Sequence, residues 1–208
     1  MPFTRNGYGQ VEPNQLSAQK TGQIYASLPL DEDVDVLQNG EFMYYDYVSG
    51  TVTADDSTGV AEPMLVFNEI KLYEPFWRTS YKDFAMIRVG DNYVTSKLAT
   101  AKYGDGALTQ GVDANPPHTD LPYRMDGIAP RLFKTNVGDI YTTNMVKTGV
   151  EYGVGELLVP VKDTDSNTLV LEKFSGTAPA KPTGMAWAVV KVYTMPDGQP
   201  GLKLQRVQ

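Results

Sequence analysis

The chain has 208 residues, of which 41% are hydrophobic, so it is long enough to bury a substantial core in one large domain or two small ones. Its formal net charge of −7 argues against a nucleic-acid partner, because phosphate binding needs a clustered basic surface. The absence of cysteine excludes disulfides and cysteine-ligated zinc, and no apolar run approaches the roughly eighteen residues of a membrane span.

The first thirty residues form a polar, turn-rich leader. No basic region leads into an apolar one, so the sequence does not predict a secretion signal. A segment with so few apolar side chains has little surface to bury on its own body. We therefore expect residues 1–30 to form an extended arm that lies along a neighbour or stays mobile, and residues 31–208 to form a single β domain. Removal of residues 1–28 should then leave that domain folded.

Short strand patterns follow the leader. Residues 34–48 predict a hairpin, because apolar residues alternate with acidic ones and Asn39-Gly40 suits the positive φ angles of a tight turn. Residues 64–73 are typical of a central strand. Residues 96–130 are rich in Gly and Pro and lack periodicity, which predicts a long irregular excursion.

Strand patterns resume at residue 131 and continue to the carboxyl-terminal end. A turn is predicted at 137–139, and two further hairpins are predicted around 164–167 and 196–198. The fold class is therefore all-β, a barrel or sandwich of about ten short strands with an extended N-terminal arm and a long irregular insertion.

His118 is the only histidine and the first candidate for catalysis. Asp120 is close enough in sequence to orient it as a general base. However, His118 follows two prolines, and the chain has no Gly-x-Ser-x-Gly serine for a base to activate. The pattern favours an exposed loop histidine.

Asp163, Asp165 and Asn167 match the first half of a calcium-binding loop. Such a loop needs glycine at its sixth position and glutamate at its twelfth, where this chain has Thr168 and Phe174. The segment therefore favours a polar hairpin turn. We expect no metal site, no cofactor and no enzymatic activity.

Three segments resemble structural proteins of tailed-bacteriophage virions, in particular capsid decoration or cement proteins: TRNGYGQVEPNQLSAQKTGQIYASLP, LVFNEIKLYEP and RLFKTNVGDIYTTN. The features that this sequence shares with such proteins are a Gln/Asn-rich arm, the absence of cysteine and a Tyr-rich β body. The resemblance implies symmetric copies, or a homo-oligomer, bound to the major capsid protein on the capsid surface of a virion assembled in the host cytoplasm. No catalytic residue is implied.

An arm that orders on binding would contact the capsid through its apolar side chains. The expected partner-binding residues are Tyr8, Val11, Leu16, Ile24, Tyr25 and Leu28. We expect neither nucleic acid nor membrane as a partner.

Two other functions remain open. The first is another head, tail or fibre-base component, although a fibre would show repeats or heptads and the sequence has neither. The second is a carbohydrate-binding β-sandwich, in which Trp77 and loop tyrosines would stack on sugar rings. Trp187 alternates as a core strand residue, so its pattern predicts burial.

Overall fold

The computed structural model describes residues 2–5, 9–31, 33–34, 36–68, 86–88, 129–176, 182–195 and 198–208. Its strands are β1 (Val11–Gln15), β2 (Ile24–Tyr25), β3 (Val36–Gln38), β4 (Phe42–Asp46), β5 (Thr51–Thr53), β6 (Met64–Val66), β7 (Met86–Arg88), β8 (Leu132–Phe133), β9 (Ile140–Thr143), β10 (Leu157–Asp163), β11 (Thr168–Lys173), β12 (Trp187–Thr194) and β13 (Pro200–Arg206). Between β1 and β2 lies the short helix α1 (Ser17–Thr21). Within the described ranges, no helix has the length and apolar character needed to cross a membrane.

Most strands belong to one curled antiparallel sheet that forms a half-barrel. The order in this sheet is β1-β9-β13-β12-β10-β11-β4-β6-β8-β2, with β5 paired to β4, and β3 pairs with β7 in a separate two-stranded sheet. The prediction of an all-β, barrel-like fold of about ten short strands is confirmed.

The turn chemistry of the carboxyl-terminal half is confirmed as well. β10 and β11 form a hairpin around residues 164–167, in which Asn167 has a φ of 51° and the Asp165 N–H donates to Asp163 Oδ1 at 3.0 Å. The half-matched calcium motif is thus a hairpin turn. β12 and β13 form the last hairpin, and the predicted turn at 137–139 has Gly138 at a φ of 97°.

The hairpin predicted over residues 34–48 is wrong in its pairing. The turn at Asn39-Gly40 exists, but β3 pairs with β7, while β4 pairs with β5, β6 and β11. The Gly40 N–H donates to the Val66 carbonyl at 2.9 Å, and the Val66 N–H donates to the Glu41 carbonyl at 2.8 Å. Because β6 engages these groups, they are not available to a local hairpin.

The core lies on both faces of the strands β4, β6 and β8. Consecutive residues of a strand point to opposite faces, so Phe42 packs in one apolar cluster and Met43 in the other. Trp187 is fully buried in the first cluster, as its alternation predicts, and its ring meets Tyr141 edge to face. Leu37 is fully buried in the second cluster.

The leader lies on the chain's own sheet and not away from it, which corrects the expectation of a free arm. β1 pairs with β9 and β2 pairs with β8, so the leader supplies both edges of the long sheet. Phe3, Leu16 and Ala18 are buried in the first cluster. A few well-spaced apolar residues therefore suffice, because strand pairing satisfies the polar backbone between them. Removal of residues 1–28 would expose the core.

The irregular excursion predicted at 96–130 lies outside the described residues except for its last two positions. Phe67 and Asn68, after β6, and Arg131, just after the excursion, are neighbours in space. The Phe67 N–H donates to the Arg131 carbonyl at 3.0 Å, and the Arg131 N–H donates to Asn68 Oδ1 at 2.8 Å. The chain therefore leaves the sheet after β6 and returns to it beside β6, as β8.

Candidate functional site

A polar cavity of ≈ 250 Å³ lies between the N-terminal residues, the turn after β3 and the β10–β11 hairpin. Five charged side chains line it: Arg5, Glu41, Lys147, Asp163 and Asp165. The leader supplies Arg5, the Asn39-Gly40 turn positions Glu41, and the hairpin supplies the two aspartates. These residues are far apart in the sequence, and the curling of the sheet brings them together.

Glu41 is the chemically distinctive group of this cavity. Its side chain is 1% exposed, and Oε2 accepts the backbone N–H of Gln38 at 2.7 Å. Burial raises the pKa of Glu41 to about 7, because a buried carboxylate loses its hydration. Hydrogen bonds from Gln38 and Thr168 and the nearby charge of Arg5 oppose this rise without cancelling it.

Arg5 is the cation of this cavity whose charge acts on Glu41. Its guanidinium is half-buried and donates to the sulfur of Met145, which is a weak acceptor. Burial lowers the pKa of Arg5, and attraction by Glu41 and Asp163 works in the opposite direction. Lys147, the other cation of the cavity, forms an ion pair with Glu172 at 2.9 Å.

The cavity can therefore hold a proton on Glu41 near neutral pH, beside a cation that stabilises the ionised form. The described residues contain no group of three or more acidic or histidine side chains that could hold a metal ion. His118 and Asp120 lie outside the described residues. What remains is a carboxyl group that responds to pH, with no described nucleophile positioned by it.

A second cavity, of ≈ 420 Å³, lies between the 54–63 loop and β10. Its two carboxylates already have structural partners. Asp56 accepts hydrogen bonds from Thr58 and from the Ala61 N–H, and Glu62 pairs with the buried Arg206. The loop is held in place by these contacts.

The partner-binding residues expected in the leader do not gather on an exposed face. Leu16 is 1% exposed, Val11 and Ile24 pack against the first apolar cluster, and Tyr25 and Leu28 pack against the second. Tyr8 lies outside the described residues. A role of these residues in binding a partner stays a prediction, and Leu16 would serve it only if the leader detached.

The exposed apolar side chains lie elsewhere. Tyr47 and Val48, in the turn between β4 and β5, are 73% and 78% exposed. Val60 stands on the 54–63 loop, and a third group consists of Val154, Val190 and Val192. Apolar residues next to turn residues, as in the segment YVSG, were the only sequence signal for these positions.

Within the described part of the chain, neither tryptophan supports the hypothesis of sugar stacking. Trp187 is fully buried and cannot stack on a ligand, and Trp77 lies outside the described residues. In comparisons with known proteins, no family model, no curated protein and no solved structure matches this chain.

Proposed function

We propose that this protein is a non-enzymatic structural protein of a virion that binds the outer lattice of a capsid and stabilises the shell. Its partner in this proposal is the major capsid protein, and its location is the capsid surface. The choice of a capsid rests on the resemblance of the leader and of two later segments to decoration proteins of tailed bacteriophages.

The observation that carries the proposal is the exposure of Tyr47 and Val48 on the turn between β4 and β5. Tyrosine is enriched in protein–protein interfaces relative to the rest of the protein surface. The Tyr47 ring packs edge to face on Tyr45, with ring centroids 5.1 Å apart. Because the ring is already held in place, binding through it would cost little side-chain entropy.

The placement of the leader refines this proposal. Its strands close the edges of the sheet, and so contacts with the capsid are assigned to turns of the rigid body instead of to a free arm. A rigid body with exposed anchors can bind neighbouring capsid subunits together without folding on contact. Many such copies on one shell would add their effects through avidity.

The test is co-sedimentation of the purified chain with capsids assembled without it, in both immature and expanded forms. We expect saturable binding and a higher temperature of shell disruption. Tyr47→Ser combined with Val48→Ser should weaken binding by about tenfold or more, because central apolar anchors dominate such interfaces.

Val137→Ser is the matched control, since Val137 is an exposed valine, at 66%, on a different turn. It should bind as the unaltered chain does. If neither capsid form binds the protein, the proposal fails. If both variants bind as tightly as the parent, the assignment of Tyr47 and Val48 fails while the capsid function stands.

A further inference from the structure

One edge of β12 has no neighbour among the described strands. β12 pairs with β13 along its whole length, but it pairs with β10 only at Trp187 and Ala188. The β12–β13 pairing has a register shift between Val189 and Lys191, just beyond the last β12–β10 pair. From Val190 to Thr194, the described part of the chain places no strand on that side.

The register with β13 shows which backbone groups face this open edge. Thr194 lies opposite Pro200, which has no N–H, while the Met195 N–H donates to the Gln199 carbonyl at 2.7 Å. In an antiparallel pair, hydrogen-bonded and non-hydrogen-bonded positions alternate. Tyr193 is therefore bonded to β13, and the N–H and C=O groups of Val192 and Thr194 point outward.

Apolar side chains surround these outward-facing groups. Val192 is 51% exposed, and Val190 beside it is also exposed. Val154 lies nearby, because the N–H of its neighbour Gly155 donates to the Val189 carbonyl at 2.8 Å. A strand edge with exposed valines and no partner among the described strands is the feature that strand addition from another chain requires.

We propose that a second copy of this chain pairs antiparallel with this edge, about a two-fold axis at Val192. In this register Val192 lies opposite the partner's Val192, and Lys191 lies opposite the partner's Tyr193. The contact is isologous, so each copy gives and receives the same set of interactions.

The pairing of a cation with an aromatic ring across the axis is the argument for a second copy as the occupant. Within one chain, the Lys191 ammonium already lies 5.9 Å from the centre of the Tyr193 ring. The proposed register gives each ammonium the partner's ring as well, a favourable cation–π arrangement, and keeps the two ammonium groups apart. A two-fold axis at Lys191 would place the two ammonium groups opposite each other. It would also require the N–H and C=O groups of Lys191 to point outward, whereas the alternation directs them to β13.

The test is the association state of the full chain without capsids, measured by analytical ultracentrifugation over a wide concentration range, so its result is independent of the capsid proposal. We expect a reversible dimer. Val192→Lys places like charges at the axis, and Val192→Pro removes an outward N–H. Each should raise the dissociation constant of the dimer by about tenfold or more.

Val192→Thr keeps the β-branched shape and the backbone groups, and Val137→Lys adds the same charge elsewhere, so both should dimerise as the parent does. Hydrogen exchange provides a second readout: the Val192 and Thr194 amides should be protected more strongly as concentration rises. A parent chain that stays monomeric at every concentration overturns the proposal. A folded Val192→Lys variant that dimerises normally overturns it too.

Discussion

At Glu41, a carboxyl group lies where only part of its lost hydration is replaced. Two hydrogen bonds and the charge of Arg5 favour the ionised form, but burial outweighs them and raises the pKa to about 7. The folded protein therefore holds this proton more tightly than the unfolded chain, in which the pKa is near 4.5. Below pH 4.5 the full stabilisation by the proton is present, and it is lost as the pH rises through about 7.

We predict that Glu41→Gln removes this loss of stability. Glutamine retains an acceptor for the Gln38 N–H but never ionises, so the variant should gain stability relative to the parent as the pH rises from 5 to 8. A rise of the Glu41 pKa from 4.5 to about 7 corresponds to a change in the free energy of unfolding on the order of 3 kcal/mol. Urea unfolding at a series of pH values measures the difference.

Glu12→Gln is the control, because Glu12 lies on β1 outside the cavity. The difference in the free energy of unfolding between Glu12→Gln and the parent should not grow as the pH rises from 5 to 8. Parallel pH curves for the parent and Glu41→Gln would contradict the assignment of this titration to Glu41.

The helix α1 depends on a residue from a distant part of the chain. Its N-cap residue, Leu16, offers no side-chain hydrogen bond. Asp139 accepts the Ser17 N–H at 3.0 Å and the Ser17 hydroxyl at 2.8 Å, and it also accepts the Asn136 N–H at 2.9 Å. The carboxylate thus fixes the leader to the turn before β9.

We predict that Asp139→Ala loosens the leader. The substitution leaves the Ser17 and Asn136 N–H groups without their acceptor, so the free energy of unfolding should fall by about 2 kcal/mol. Trypsin should cleave after Lys20, on the exposed side of α1, much faster than in the parent. Intact-mass analysis of a digestion time course measures the rate.

Asp33→Ala removes an exposed carboxylate from a different turn and is the matched control. It should leave the rate of cleavage at Lys20 unchanged. Equal rates in the parent and in Asp139→Ala would show that Asp139 does not hold the leader in place.

At the scale of the whole molecule, β6 and β8 are antiparallel neighbours although more than sixty residues separate them in the sequence, with Val66 opposite Leu132. The two ends of the intervening segment are joined by the contacts of Asn68 with Arg131. A short connection could span this gap, and shortening a loop lowers the entropic cost of closing it.

We predict that replacing residues 70–128 with a short Gly/Ser turn leaves the long sheet folded. The variant loses β7, the partner of β3, so we expect lower stability but the same cooperative unfolding. Circular dichroism and hydrogen exchange of β9, β12 and β13 measure the outcome. An unfolded variant would show that the sheet needs the removed residues, and the parent chain under the same conditions is the reference.

The sequence by itself determined what short-range chemistry controls. Alternation and turn residues predicted the all-β class, the β10–β11 and β12–β13 hairpins and the burial of Trp187, because side-chain period and local φ preferences depend on adjacent residues alone. The Asn39-Gly40 turn was predicted for the same reason, although the strands on either side of it pair elsewhere.

Only the tertiary structure decided which strands pair across long separations and which side chains the closed sheet buries. β6 takes the backbone N–H of Gly40 and the carbonyl of Glu41, so β3 and β4 do not form a hairpin. The leader, which composition alone assigned to a free arm, pairs with β9 and β8. Glu41 became a buried acid because the folded chain closes around it, with Arg5 and Asp163 lining the same cavity. Such outcomes depend on competition between distant surfaces, which no local pattern in the sequence encodes.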